Sequence, residues 1–212
     1  MTHQVYEFEP PERFVAGTVG PPGERTFYLQ ARGGGRVVSV ALEKVQVTLL
    51  AEKLDELLAE ANRRFGLVMP EAILMLPDND PLEAPIDEEF RVGTLGLAYD
   101  VDTSTVVIEA IAVGEAEEEA DATDADLGLG IEALEGIEGV EGDDVDSDEA
   151  EDYEVVTADL DRLRVRLTPE ETRAFIERAK RVVAAGRPPC PLCGQPLDPE
   201  GHRCPRHNGY HR

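Results

Sequence analysis

The chain has no tryptophan, and aromatic residues make up only 5% of its 212 positions, so any core must be largely aliphatic. Its three cysteines are odd in number and too few for a disulfide framework. Histidine occurs only near the termini, at His3, His202, His207 and His211. The body therefore lacks the side chain that most acid–base and nucleophilic sites use. No Gly-x-Ser-x-Gly elbow is present. Neither glycine-rich stretch, Gly17 to Gly23 or Gly33 to Gly35, ends in the Gly-Lys-(Ser/Thr) of a phosphate loop. These absences argue against conventional catalysis. No apolar run is long enough to span a membrane, and the N-terminus has no basic start followed by an apolar stretch. A cytoplasmic protein without membrane association is expected.

Basic residues are missing from one long stretch. Residues 114–154 hold 19 of the 45 acidic residues and no lysine or arginine. They account for most of the net charge of −25 and leave the remainder at −6. From Leu160 onward the balance reverses to 11 bases against 6 acids. Like-charge repulsion and the lack of apolar periodicity mark 114–154 as an acidic, disordered insert. Its only hydrophobic pattern is faint: Leu127, Leu129, Ile131, Leu134, Ile137 and Val140. Non-specific binding of nucleic acid by the whole molecule is disfavoured.

The ordered remainder alternates between two periods. Val5 to Phe8, Arg13 to Val19, Thr26 to Gln30 and Arg36 to Leu42 read as strands separated by short turns, which favours antiparallel pairing. From about Glu43 to Asn62 the period becomes helical, with Leu50, Leu54, Leu57, Leu58 and Ala61 on one face. Residues 67–89 read as a loop rich in proline and acid. Phe90 to Tyr99 and Thr105 to Val113 are two further strands, and Leu160 to Leu167 another. Thr168-Pro169-Glu170-Glu171 is a capping box with proline at the first helical position. It opens a helix that turns Phe175, Ile176, Ala179, Val182 and Val183 inward and stops near Gly186. The fold class expected is α+β: a mostly antiparallel sheet of about six or seven strands, two helices on one face, and a C-terminal zinc knuckle. Residues 1–113 and 155–187 form one domain, 114–154 the insert and 188–212 a zinc-binding module.

All three cysteines lie in two similar turns, Cys190-Pro191-Leu192-Cys193-Gly194 and Cys204-Pro205-Arg206-His207-Asn208. Each turn aims two side chains at one point, and two such turns build a closed tetrahedral zinc site. Cys190, Cys193 and Cys204 are three ligands. Spacing leaves the fourth open between His207, which completes a Cys-x-x-His turn, and His202, which lies on the same strand face as Cys204 in His-x-Cys. Four protein ligands leave no position for water, so the Zn²⁺ would be structural. Other groupings carry less. Asp78-Asn79-Asp80 and Asp87-Glu88-Glu89 lack the spacing of a calcium loop and read as solvated loop. Arg173, Arg178, Lys180, Arg181, Arg187, Arg203, Arg206 and Arg212, with Tyr210, could form a phosphate-binding face but read better as a solvated helix face and tail.

Three stretches carry a family resemblance: Glu12-Arg13-Phe14-Val15-Ala16-Gly17-Thr18-Val19-Gly20 with Gly23-Glu24-Arg25-Thr26-Phe27; Glu88-Glu89-Phe90-Arg91-Val92-Gly93; and Gly186 to Gly194 continued through Gly201-His202-Arg203-Cys204-Pro205 to Asn208-Gly209-Tyr210. Together they resemble the actinobacterial domain of unknown function 3090. The resemblance spans most of the chain outside 114–154. It implies His202 as the fourth zinc ligand and His207 as a variable position, and it implies no activity.

The function expected is that of a non-catalytic binding or adaptor protein, stabilised by a structural zinc-ribbon-like site and engaging a protein partner. One alternative is an enzyme or regulator of a phosphorylated small molecule, using Arg91, Arg25 or Arg13. Another is RNA or DNA binding through the zinc module.

Overall fold

The computed structural model describes residues 3–66, 77–114, 131–133, 160–186, 190–193, 197, 204 and 206. In chain order these form β1 (Val5–Phe8), β2 (Arg13–Val19), β3 (Thr26–Gly33), β4 (Arg36–Leu42), α1 (Lys44–Phe65), β5 (Glu88–Asp100), β6 (Thr105–Ala112), β7 (Ile131–Ala133), β8 (Arg162–Leu167) and α2 (Pro169–Ala184). Seven strands run in the order β1-β8-β6-β5-β4-β3-β2, and β7 adds beside β5. Pairing is antiparallel for β2–β3, β3–β4, β5–β6 and β6–β8, and parallel for β1–β8, β4–β5 and β5–β7. The α+β class, the strand number and the two helices agree with the sequence reading.

Register puts one apolar face toward the helices. Ala16 lies opposite Leu29 and Leu29 opposite Val40; further along the sheet, Leu97 faces Ile108, Ile108 faces Val165 and Val165 faces Phe8. All are buried in a single core with Leu50, Leu54 and Leu58 of α1 and Phe175, Ile176 and Ala179 of α2. Phe14 of β2 stacks on Phe175 at a centroid distance of 4.8 Å. The β3–β4 hairpin turns through Gly34 and Gly35, both at positive φ, which a two-residue loop of the twist-compatible type requires at both positions.

β5 is the joint of the sheet. Its first residues pair with β4, and its later ones with β6 and β7. The pairing slips between Val92 and Thr94. A one-residue slip changes which face alternate side chains occupy. Even-numbered Phe90 and Val92 and odd-numbered Leu95, Leu97 and Tyr99 consequently share one core. Buried Gln46 of α1 closes this irregularity by donating from Nε2 to the carbonyls of Val92 (3.0 Å) and Gly93 (3.2 Å).

The opposite face of β2, β3 and β4 is covered by residues 77–87, which carry no regular secondary structure and act as a strap. The Gln30 side chain donates to Ser39 Oγ and to the Glu83 carbonyl, and accepts from the Glu83 N–H. Leu82 sits directly over Gly17.

Two expectations change. Residues 77–87 are not a solvated loop but a cover held by hydrogen bonds. Within the insert expected to lack structure, Ile131–Ala133 form β7 against Leu95–Leu97; residues 115–130 and 134–154 of that insert lie outside the described residues.

A Cβ on Gly17 would lie 2.5 Å from the Leu82 side chain. Gly17→Ala is therefore expected to lower stability by about 1–2 kcal/mol through overpacking. Shortening Leu82 to alanine in the same chain should cost less on the Gly17→Ala background than on the native one. Denaturant unfolding of the four chains checks this coupling.

Candidate metal centre

Beyond α2 the chain brings its two cysteine turns together. The Sγ atoms of Cys190, Cys193 and Cys204 all lie within 4.8 Å of one another. Cys190 and Cys204 are buried and 3.9 Å apart, far beyond a sulfur–sulfur bond. Arg206 Nη1 donates to the Leu192 carbonyl at 2.9 Å and ties the second turn to the first. Tetrahedral zinc with Zn–S bonds of about 2.3 Å places its sulfurs about 3.8 Å apart. The Cys190–Cys204 separation fits that geometry, and the thiolate set suits a soft metal ion. Three of the predicted ligands are thus together. His202 and His207, the two candidates for the fourth, lie outside the described residues.

A second polar cluster was not foreseen. Arg178, placed by the sequence reading on a solvated face, is only 6% exposed. Its Nε donates to the Ala16 carbonyl (2.9 Å), Nη1 to the carbonyl and Oδ1 of Asp78 (2.8 and 2.7 Å), and Nη2 to the Asp80 carbonyl (2.7 Å). Arg13 binds the same Asp78 carboxylate through Nε (2.7 Å) and Nη2 (3.0 Å). Asp78 therefore sits between two guanidinium groups, and its hydrogen bond from Arg13 is the main cause of a pKa below the ordinary value. Burial pulls the Arg178 pKa down, while its bond to Asp78 pushes that of Arg13 up. A 250 Å³ cavity borders this cluster, lined in part by Arg13, Asp78, Glu171 and Arg178. Asp78 and both arginines there are already bound to one another or to backbone, so the arrangement secures the strap rather than activating a reactant. Asp78, read as part of a solvated acidic run, is instead a structural anion.

Other charges are committed in the same way. Arg166 binds Asp100 at 2.6 Å, and the Thr103 N–H and Arg166 together hold the Asp100 carboxyl down at about 2. Arg164 lies 3.4 Å from the buried Glu109. Lys180 bridges to Asp55 at 2.8 Å, and Arg181 reaches the Asp78 carbonyl. The helix portion of the basic end is thus largely spent on internal contacts; Arg187, Arg203, Tyr210 and Arg212 lie outside the described residues. Of the three arginines considered for a phosphorylated ligand, Arg13 is bound to Asp78 and Arg91 lies 3.3 Å from Glu43. Arg25 stacks over Phe27 and faces a cavity instead.

Fold and site define an α+β protein with a C-terminal three-cysteine cluster able to hold a metal ion. The chain belongs to the family described as Protein of unknown function (DUF3090), whose family model matches residues 6–204. No curated protein and no solved structure matches it. No helix among the described residues is long and apolar enough to cross a membrane.

The Asp78 pKa is lower in the folded chain than the value of about 3.9 expected after unfolding. Its stabilising contribution is therefore complete above that unfolded value and is lost as pH falls through the folded one. The stability difference between the native chain and Asp78→Asn should be constant near neutrality and shrink below about pH 4. Urea unfolding across that range measures it.

Proposed function

We propose that this protein is a non-catalytic binding or adaptor protein whose C-terminal segment is held by a structural zinc ion. The observation that carries the reading is the convergence of Cys190, Cys193 and Cys204 from two turns fourteen residues apart. Zinc is favoured over other thiophilic metals because the turns supply three thiolates, with a histidine beside Cys204 available for the fourth corner. His202 is that ligand in this reading, and His207 is the alternative. With four protein ligands the ion organises the chain end and has no open position for a reacting water. The commitment of Asp78, Asp100 and Glu109 to arginine pairs supports binding rather than catalysis.

The partner proposed is a protein with a basic surface. The insert, with 19 carboxylates and no base, would steer such a surface electrostatically and repel nucleic acid. The internal use of Arg178, Lys180 and Arg181 also weighs against a nucleic-acid face on α2.

Native mass spectrometry after purification without chelator should find one zinc per chain. Cys193→Ser should lose the metal while the far-ultraviolet signature of the sheet persists, and His202→Ala should weaken retention more than His207→Ala. Metal well below one per chain overturns the zinc assignment, and release by His207→Ala alone reassigns the fourth ligand.

For the adaptor reading, the full chain used as bait should retain a partner from native lysate at low salt and release it at moderate salt. A chain with residues 115–154 replaced by a short Gly/Ser linker should retain much less. Equal retention by both chains would remove the insert from the interface.

A further inference from the structure

We infer that the cavity between the β2–β3 turn, the start of α1 and the end of α2 is a binding site for a dianionic phosphate group, carried by a small soluble phosphomonoester. The site is distinct from the cysteine cluster and does not depend on the adaptor reading. It measures about 540 Å³ and is lined by Gly23, Arg25, Phe27, Lys44, Val183, Ala184 and Gly186. That volume lies within the ordinary range for small-molecule sites.

Two cations converge there. A Cβ built on Gly186 would lie 3.5 Å from Arg25 Nη2 and 3.9 Å from Lys44 Nζ. Both tips thus point at one spot, which is open because residue 186 has no side chain. Neither group forms an ion pair or hydrogen bond with any described residue. The nearest acidic residue in sequence to Lys44, Glu43, is taken up by Arg91. Arg25 has only the face of Phe27, with its Cζ 5.8 Å from the ring centre. Two positive charges facing one cavity repel each other, and the end of α2, whose Val183 carbonyl lies 3.9 Å from the same spot, offsets only part of that cost.

Lys44 is also on the wrong end of its helix. It is the first residue of α1, directly after the N-cap Glu43 with its capping box, and the first turn itself contains no acid. A helix N-terminus carries partial positive charge and favours anions, so a lysine there costs stability. The end of α2 attracts both cations through its dipole, but neither Arg25 nor Lys44 donates to one of its last carbonyls, so both keep their hydrogen-bonding capacity for a ligand. A bound anion answers both problems. Arg25 offers a planar fork and Lys44 a point charge, a combination suited to phosphate oxygens, while Phe27 and Val183 supply apolar wall for the organic part of the ester.

The test uses the full-length, metal-loaded protein at constant ionic strength. Phenyl phosphate, inorganic phosphate and sulfate are titrated by calorimetry, with melting temperature recorded in parallel. Phenyl phosphate should bind saturably, more tightly than inorganic phosphate, and inorganic phosphate more tightly than sulfate. Arg25→Gln and Lys44→Gln should each weaken binding by about tenfold or more, as expected for loss of a charge-assisted contact. Gly186→Val should weaken it similarly with both cations in place. Lys53→Gln, on an exposed part of α1, should change nothing. Lys44→Gln should melt no lower than the native chain without ligand, which separates a ligand-binding role from a structural one. The proposal is overturned if binding is not saturable, if Arg25→Gln and Lys44→Gln bind as the native chain does, or if Lys44→Gln unfolds several degrees earlier. Attachment to vesicles containing phosphatidic acid without binding of phenyl phosphate would overturn the soluble-ligand assignment.

Discussion

The burial of one guanidinium group organises half of this molecule. β2 is the last strand of the sheet and would expose a row of unpaired backbone groups. Arg178 reaches from α2 to the Ala16 carbonyl on that edge, and the rest of its fork holds the backbone of Asp78 and Asp80. The helix, the strand edge and the strap are thereby fixed to one another by a single side chain. Burying a charge this far is costly unless its donors are satisfied. Here Asp78 supplies the counter-charge, and Arg13 approaches the same carboxylate from the strand side. Burial lowers the Arg178 pKa and the hydrogen bond from Arg13 lowers that of Asp78, and the neighbouring positive charges add to both shifts.

With the strap anchored at Asp78, its later residues can cover the sheet. Gln30 imitates a neighbouring strand by exchanging two hydrogen bonds with the backbone of Glu83. Gly17 gives Leu82 the depth it needs. The second irregular region, the slip in β5, is handled from the other side of the sheet by Gln46. In both places an amide side chain supplies hydrogen bonds that the regular ladder cannot. An aliphatic core with few aromatics leaves little other means of fixing where an irregular segment lies.

The alternating strands, both helices and the N-cap of α2 were legible in the sequence, because Thr168-Pro169-Glu170-Glu171 is a local signal whose chemistry does not depend on the fold. α1 ran three residues further than its apolar face suggested, up to the left-handed Gly66 that ends it. The cysteine cluster was legible for the same reason: two similar turns converge wherever the body places them. Arg178 was misplaced although its position was visible. It follows Phe175 by three residues and precedes Ala179, so helical periodicity puts it inward, and only its charge argued for solvent. Asp78 was hidden for a different reason. Its partners, Arg13 and Arg178, are 65 and 100 residues away in sequence, and no local pattern announces such a meeting. β7 was invisible because an acidic, glycine-rich segment gives a three-residue strand no distinguishing alternation.

The same contrast between spent and unspent charge separates scaffold from candidate site. Arg13, Arg166 and Arg178 each have a carboxylate partner within hydrogen-bond distance. Among the described residues Arg25 and Lys44 have no such partner, and they face the segment where the body hands over to the cysteine turns. Gly186 forms part of that cavity, and Cys190 follows four residues later. Four residues of extended chain reach no further than about 14 Å, so the cysteine cluster is tethered close to the cavity by covalent geometry alone. Fixing Cys190 in a metal cluster narrows the positions available to Gly186 and so to the floor between Arg25 and Lys44. A metal that is structural for the chain end would in this way also restrict the shape of the cavity, without contributing a ligand to it.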